Sequence, residues 1–147
     1  MNDSGKFEEH FKEIYPPELE LKKEHGNSSA SFLDLDIEIE NNKFTTKLYD
    51  KRDAFSFKIV RMPDKSSNMP SKIFNSCIGA ETLRIARISS TLESFLESCH
   101  CLYKRMLTQG ASKSGIRKIL NRLYGKHTFL TRFGVNSNVF CNSLLKF

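Results

Sequence analysis

The chain has 147 residues, a length that fits one domain of ordinary size and can bury a core without disulfides or metals. Its hydrophobic fraction of 39% and charged fraction of 27% are close to globular averages, which excludes a wholly disordered chain. No apolar run reaches the roughly 18 residues of a membrane span, and the polar start has no signal-peptide pattern. We therefore expect an intracellular protein, in the nucleus or the cytoplasm, with no membrane partner.

The net charge of +6 is divided very unevenly along the chain. Residues 1–40 hold 4 Lys and Arg against 11 Asp and Glu, a net −7, whereas residues 41–147 hold 19 against 6, a net +13. Such asymmetry indicates that the downstream part meets a polyanion, and we favour nucleic acid over a basic surface that is merely solvated.

Near the start, Phe7, Phe11 and Ile14 recur at helical spacing, and Pro16-Pro17 must end that helix. The clearest strand follows at residues 31–39, where apolar and acidic residues alternate. Asn41 and Asn42 tolerate the left-handed backbone of a tight hairpin turn, after which residues 44–50 return. This register gives three complementary pairs: Ile39 with Phe44, Leu35 with Leu48, and Asp36 with Lys47.

The downstream part begins with an extended piece at residues 55–62, marked by Phe55, Phe57 and Ile59, and a loop at residues 63–71. Three helices follow. The first contains Ile78 to Ile88 and is broken by Ser89-Ser90. The second is opened by a capping box of Ser90 and Glu93 and ended by Gly110. The third contains Ile116 to Tyr124 and is closed by Gly125.

These elements predict an α+β fold in which an antiparallel β-hairpin precedes a small, basic helical bundle. We expect a hairpin segment at residues 1–62, a helical region at 63–127 and an irregular tail at 128–147. The four Cys match no disulfide or zinc pattern, and Cys99 in the Cys99-His100-Cys101 run is expected to be a buried helix residue, so no metal site is predicted.

Several segments match one family. They are Ile14-Tyr15-Pro16-Pro17-Glu18-Leu19-Glu20-Leu21; Phe32-Leu33-Asp34-Leu35-Asp36-Ile37 with the Asn-Asn turn; Phe44-Thr45-Thr46-Lys47-Leu48-Tyr49-Asp50-Lys51-Arg52-Asp53; Ser67-Asn68-Met69-Pro70; and Leu83-Arg84-Ile85-Ala86-Arg87. Together, over residues 7–125, they resemble the region that follows the catalytic palm in Penelope-like and related retroelement reverse transcriptases.

The resemblance implies that the hairpin is a primer grip and that the helices are a thumb, which clamps an RNA–DNA hybrid or another duplex through its phosphates. Polymerisation needs carboxylates that hold two metal ions, and Mg²⁺ is implied only for a full-length parent enzyme. The chain contains no Asp-Asp pair, and Asp34 and Asp36 are expected on the solvent face of the hairpin. We therefore predict no catalytic residue and no cofactor, and we expect a truncated reading frame that begins at an internal Met.

Ten basic residues are candidates for contact with a nucleic-acid backbone. Lys51 and Arg52 leave the hairpin, although Asp50 and Asp53 are alternative partners for them. The other candidates lie on helices, where the alternative is a solvated face. They are Arg84, Arg87, Lys104, Arg105, Lys113, Arg117, Lys118 and Arg122, with Lys113, Arg117 and Asn121 in one row and Lys118 and Arg122 in the next.

Two other functions remain open. The chain is alternatively a non-catalytic module that docks on a protein partner, or a transposon relic without activity of its own. Without a palm to cover it, the hairpin should expose Leu33, Leu35 and Ile37, and such an apolar patch promotes partner docking or aggregation.

Overall fold

Residues 9–10, 13–16, 18–19, 28–57, 59–60, 62, 64–133 and 136–145 are described by the structure, a computed structural model. The helix predicted around Phe7 and Phe11 therefore lies mostly outside the described residues. In the described part, three strands are followed by four α-helices, which confirms the α+β class and the order of hairpin and helical bundle.

The three strands form one antiparallel sheet: β1 (Ser29–Phe32), β2 (Leu35–Glu40) and β3 (Lys43–Leu48). The β2–β3 register confirms all three predicted pairs, of Ile39 with Phe44, Asp36 with Lys47, and Leu35 with Leu48. Asn41 and Asn42 both have a positive φ, 50° and 61°, as a tight hairpin turn requires.

The single strand predicted at residues 31–39 is wrong, because the chain turns at Leu33 and Asp34 to form a second hairpin. Leu33 has a φ of 55°, which is strained for a branched side chain. Contacts from distant residues hold the turn: the Tyr49 backbone N–H donates to the Asp34 carbonyl at 2.9 Å, and Arg84 Nη1 lies 2.9 Å from Asp34 Oδ2.

No strand is formed by the described residues of the extended piece predicted at 55–62, and residues 58 and 61 lie outside the described part; Phe55 itself has an extended backbone. A short 3-10 helix, Lys51–Ala54, follows the sheet, and bends occupy residues 55–57. The segment cannot pair with β3 at Thr46, because the backbone groups of Thr46 are hydrogen-bonded to Ser90. The Ser90 N–H donates to the Thr46 carbonyl at 2.9 Å, and the Thr46 N–H donates to Ser90 Oγ at 2.8 Å.

The helices are α1 (Ser71–Ile88), α2 (Leu92–Thr108), α3 (Lys113–Lys126) and α4 (Ser137–Leu144), with a 3-10 helix, Thr128–Phe133, before α4. Two predicted ends are wrong. Thr91, not Ser90, caps α2 by accepting the Ser94 N–H, since Ser90 is bonded to β3. Helix α3 continues through Gly125 to Lys126.

The tail predicted as irregular is an integral part of the core. Leu130, Phe140 and Leu144 are fully buried. The Phe95 ring on α2 stacks at 4.9 Å on Phe133 and at 5.8 Å on Phe140. Short amphipathic helices with this little periodicity gain their stability from such packing. The core is completed by residues of the three longer helices: Phe74, Ile78, Ile85, Tyr103, Met106, Ile116 and Leu120.

Candidate nucleic-acid interface

The cations at the end of the hairpin are held by a carboxylate. Arg52 Nε lies 2.7 Å from Asp50 Oδ1, and Nη2 lies 2.5 Å from Oδ2. Arg105 on α2 reaches the same carboxylate, with Nη1 2.5 Å from Asp50 Oδ2. Hydrogen bonds from Arg52 and then Arg105 hold the pKa of Asp50 far below its usual range, although partial burial acts in the opposite direction.

These contacts favour a structural role for Arg52 and Arg105, which join the end of the sheet to α2. Arg84 is engaged in the same way: its guanidinium contacts Asp34 at 2.9 Å and Glu81 at 2.8 Å. An arginine that already shares a carboxylate offers less charge to a phosphate. Three of the ten candidate cations are therefore weakened as nucleic-acid ligands.

Helix α3 is the most basic element of the described chain, and its two predicted rows have different surroundings. The first row faces α4: Arg117 Nη1 donates to Asn142 Oδ1 at 3.0 Å. Asn121 Oδ1 accepts from Ser137 Oγ at 3.2 Å and from Cys141 Sγ at 3.0 Å. Lys113 is exposed in the first turn of the helix.

The second row lies on the opposite side of the exposed face. Lys118 and Arg122 are exposed, and Lys126 extends their row by one more turn, because α3 does not stop at Gly125. Successive members of such a row rise by about 6 Å along the helix axis. Within the described part of the chain, none of the three side chains has a carboxylate partner, in contrast to Arg84 and Arg105.

A groove of about 690 Å³ runs between α1 and α3 beside this row. Its floor is apolar and includes Leu83, Ile119 and Leu123, whereas Lys72, Arg122 and Lys126 line its sides together with His127. No Asp or Glu is found among the described residues that line it. Lys72, Arg122 and Lys126 line the groove, and Lys118 lies one turn before Arg122 in the same row of α3 without lining it. We call these four residues the groove cations.

Lys72 and Lys126 were missed by sequence reasoning. Lys126 is four residues after Arg122 and continues the i, i+4 spacing, but a helix closed by Gly125 leaves it out. Lys72 lies on α1, and only the packing of α1 against α3 brings it to the groove. Gly79 lies where α1 meets α3, and a Cβ there would make ordinary van der Waals contacts of 3.7 Å with Ile119 Cγ2 and Leu123 Cδ2.

The remaining candidates are dispersed. Lys51 is exposed on the first 3-10 helix, Arg87 is exposed near the end of α1, and Lys104 is exposed on α2. They are not among the residues that line the groove.

The described acidic residues of the hairpin do not form the two-metal site that a polymerase needs. Asp34 is bound by Arg84, and Asp36 accepts a hydrogen bond from Ser31 Oγ at 2.7 Å and lies 3.8 Å from Lys47 Nζ. Among the described residues, no group of three or more His, Cys, Asp or Glu is placed to hold a metal ion. Cys99 is buried as expected, and burial raises the pKa of its thiol.

The sheet presents a second kind of surface. On its apolar face, Phe32 and Phe44 are 64% and 74% exposed, and Leu33 in the turn between β1 and β2 is 79% exposed. The prediction for Leu35 and Ile37 is wrong in part, since both are half-buried between the neighbouring strands. In the described part of the chain, no helix is both long and apolar enough to cross a membrane.

Comparison with known proteins adds no relative: no family model, no curated protein and no solved structure matches the chain.

Proposed function

We propose that the chain binds the phosphate backbone of nucleic acid through the groove cations. The observation that carries the proposal is the row Lys118, Arg122 and Lys126, three exposed side chains on successive turns with no carboxylate partner in the described residues. Unpaired Lys and Arg gain free energy by displacing the counterions that surround a polyanion, which requires no particular base sequence.

We further propose that this binding is the surviving part of a retroelement reverse transcriptase, in which the chain holds an RNA–DNA hybrid and does not polymerise. Two things support this: the resemblance across residues 7–125 and a fold in which a rigid antiparallel hairpin precedes a basic helical bundle. Asp34 is paired with Arg84, and Asp36 accepts a hydrogen bond from Ser31, which argues against catalysis by this chain alone.

The test is binding to a labelled RNA–DNA hybrid across a salt series. The logarithm of the affinity should fall with the logarithm of the salt concentration, by about 0.7–0.9 for each phosphate contact. A variant with Lys118, Arg122 and Lys126 changed to Ala should bind more weakly, and its slope should be shallower by about 2–3. Salt-insensitive binding, or an unchanged slope in the variant, would refute the proposal.

A matched control is available on the same helix and on α2. Lys104 and Lys113 are exposed cations outside the groove, so K104A/K113A removes two positive charges without touching it. This variant should change the slope by less than the loss of any two groove cations. Equal effects would mean that binding follows total charge and has no defined site.

The exposed apolar face of the sheet supports a second candidate, a module that docks on a protein partner. Phe32 and Phe44 on that face are each more than half exposed. Sedimentation velocity tests this: association that rises with concentration and is abolished by F44S would favour a docking module. A monomer at all concentrations would leave the nucleic-acid function as the better account.

A further inference from the structure

Strand β1 lies at the edge of the sheet, and its outer side is open in the described part of the chain. The strand order is β1-β2-β3, and every residue of Ser29–Phe32 is exposed. Proteins protect such an edge with Lys, Pro or a bulge, because its unpaired N–H and C=O groups accept another strand. The sequence Ser-Ala-Ser-Phe contains neither a charged residue nor a proline, so this edge is suited to pairing with a further strand.

The alternation of hydrogen bonds shows which backbone groups the edge offers. The Ile39 N–H donates to the Ser28 carbonyl at 2.7 Å, and in an antiparallel ladder every second residue bonds to the same neighbour. Ala30 thus bonds to β2, whereas Ser29 and Ser31 direct their N–H and C=O groups to the outer side. Among the described residues, none provides a backbone hydrogen bond to these two serines on that side.

A second copy of β1 satisfies these groups when the two strands run antiparallel about a two-fold axis at Ala30. Ser29 of each copy then lies opposite Ser31 of the other, and the two serines exchange both of their N–H···O bonds. The side chains also match, since Ala30 lies opposite Ala30 on the apolar face and serine lies opposite serine on the polar face. Phe32, which is 64% exposed, gains a cover because Ala30 of the other copy is its diagonal neighbour.

We propose that two copies of this chain associate through β1 in this register and form one continuous antiparallel sheet. The association stops at a dimer, because the opposite edge of the sheet is occupied at Thr46 by Ser90. The contact is small, since β1 has 4 residues, so the dimer is weak and depends on concentration. No residue of β1 lines the α1–α3 groove, so the association does not rest on the proposed function.

Disulfide trapping tests the register in a C77S/C101S background, which removes the two cysteines that are not buried. The two Ala30 Cα atoms would lie about 4.5 Å apart, a distance that a disulfide bridges, whereas those of Ser31 would lie about 8 Å apart, which is too far. Under mild oxidation, A30C should form an intermolecular disulfide at least about tenfold faster than S31C, although both positions are exposed. Equal rates, a faster reaction of S31C, or no covalent dimer in either variant would overturn the proposal.

Sedimentation velocity separates edge pairing from docking through the apolar face. S29P removes an N–H that β2 does not use, at the first residue of a strand, where proline is tolerated. It should sediment as a monomer at concentrations where the unmodified chain associates, with an unchanged Tm. Phe44 lies on β3, away from this edge, so F44S should associate like the unmodified chain.

Association that persists in S29P would overturn edge pairing, and association that F44S abolishes would overturn it in favour of docking through the apolar face. A chain that is monomeric at every concentration would overturn it as well. If S29P fails to fold, the trapping rates of A30C and S31C still decide the outcome.

Discussion

Substitution of Asp50 by Asn tests how the sheet is fastened to the helices. The Asp50 side chain is 14% exposed and is bound by Arg52 from its own end of the sheet and by Arg105 from α2. Its Oδ1 also accepts the Arg52 backbone N–H at 3.2 Å, which caps the first 3-10 helix. Asn has nearly the same shape but loses the charge and one of the two acceptor oxygens.

The expected cost follows from these contacts. Hydrogen bonds to charged groups contribute about 1.5–3 kcal/mol each. The Arg105 side chain is 37% exposed, and solvent screens its share. We therefore expect D50N to lower the free energy of unfolding at pH 7 by about 1–2 kcal/mol, and Tm by about 3–6 °C.

The pH dependence has a definite sign. The pKa of Asp50 in the folded chain is held below its usual value of 3.8, so the folded state favours the carboxylate. The stabilisation is fully present above that usual value and is lost as the pH falls through it towards the folded pKa. The difference between D50N and the unmodified chain should be constant from pH 7 to pH 5 and should shrink below about pH 4.

Urea unfolding at pH 7, 5 and 3.5 measures this difference. E40Q is the control, since Glu40 is an exposed hairpin residue, and it should stay within about 0.5 kcal/mol of the unmodified chain. A D50N protein as stable as the control at pH 7 would refute the reasoning. So would a deficit that persists undiminished at pH 3.5.

Four further substitutions test the helix ends by thermal or urea unfolding. G125A should raise stability by about 0.5–1 kcal/mol, because Gly125 lies within α3 with no atom within 4 Å of an added Cβ. A loss of stability in G125A would mean that α3 ends at Gly125. G110A should lower the stability, since Gly110 has a φ of 87°, which an alanine adopts only with strain. R132M should cost about 1–2 kcal/mol by leaving carbonyls at the end of α1 without a donor, and no loss would contradict that role. T91A should lower the free energy of unfolding by about 1 kcal/mol, because the Ser94 N–H loses its cap. An unchanged free energy of unfolding would mean that Ser90, the predicted residue, caps α2.

The hairpin was predictable because local and cross-strand chemistry agree there. Asn41 and Asn42 set the turn, and a slip of one residue would have placed Asp36 among apolar side chains. The turn at Leu33 and Asp34 was not predictable, because the alternation of apolar and acidic residues continues through it. A contact from Arg84, 50 residues away along the chain, holds it in place.

The candidate interface was predictable only in its position on α3. Sequence spacing cannot tell a free arginine from one that shares a carboxylate, and Arg52 and Arg105 meet Asp50 only in the folded chain. Lys72 joins the groove through the packing of two helices distant in sequence. Helix α4 was missed because its buried Phe140, Cys141 and Leu144 are too few to establish a period.

Lysine footprinting tests the central claim most directly. The chain is acetylated with and without an RNA–DNA hybrid at low salt, and the reaction rate of each lysine is read by peptide mass spectrometry. We predict that Lys72, Lys118 and Lys126 are protected by the hybrid, whereas Lys43 and Lys104 react at unchanged rates. Uniform protection of all five lysines, or protection of none, would contradict a phosphate-binding site at the α1–α3 groove.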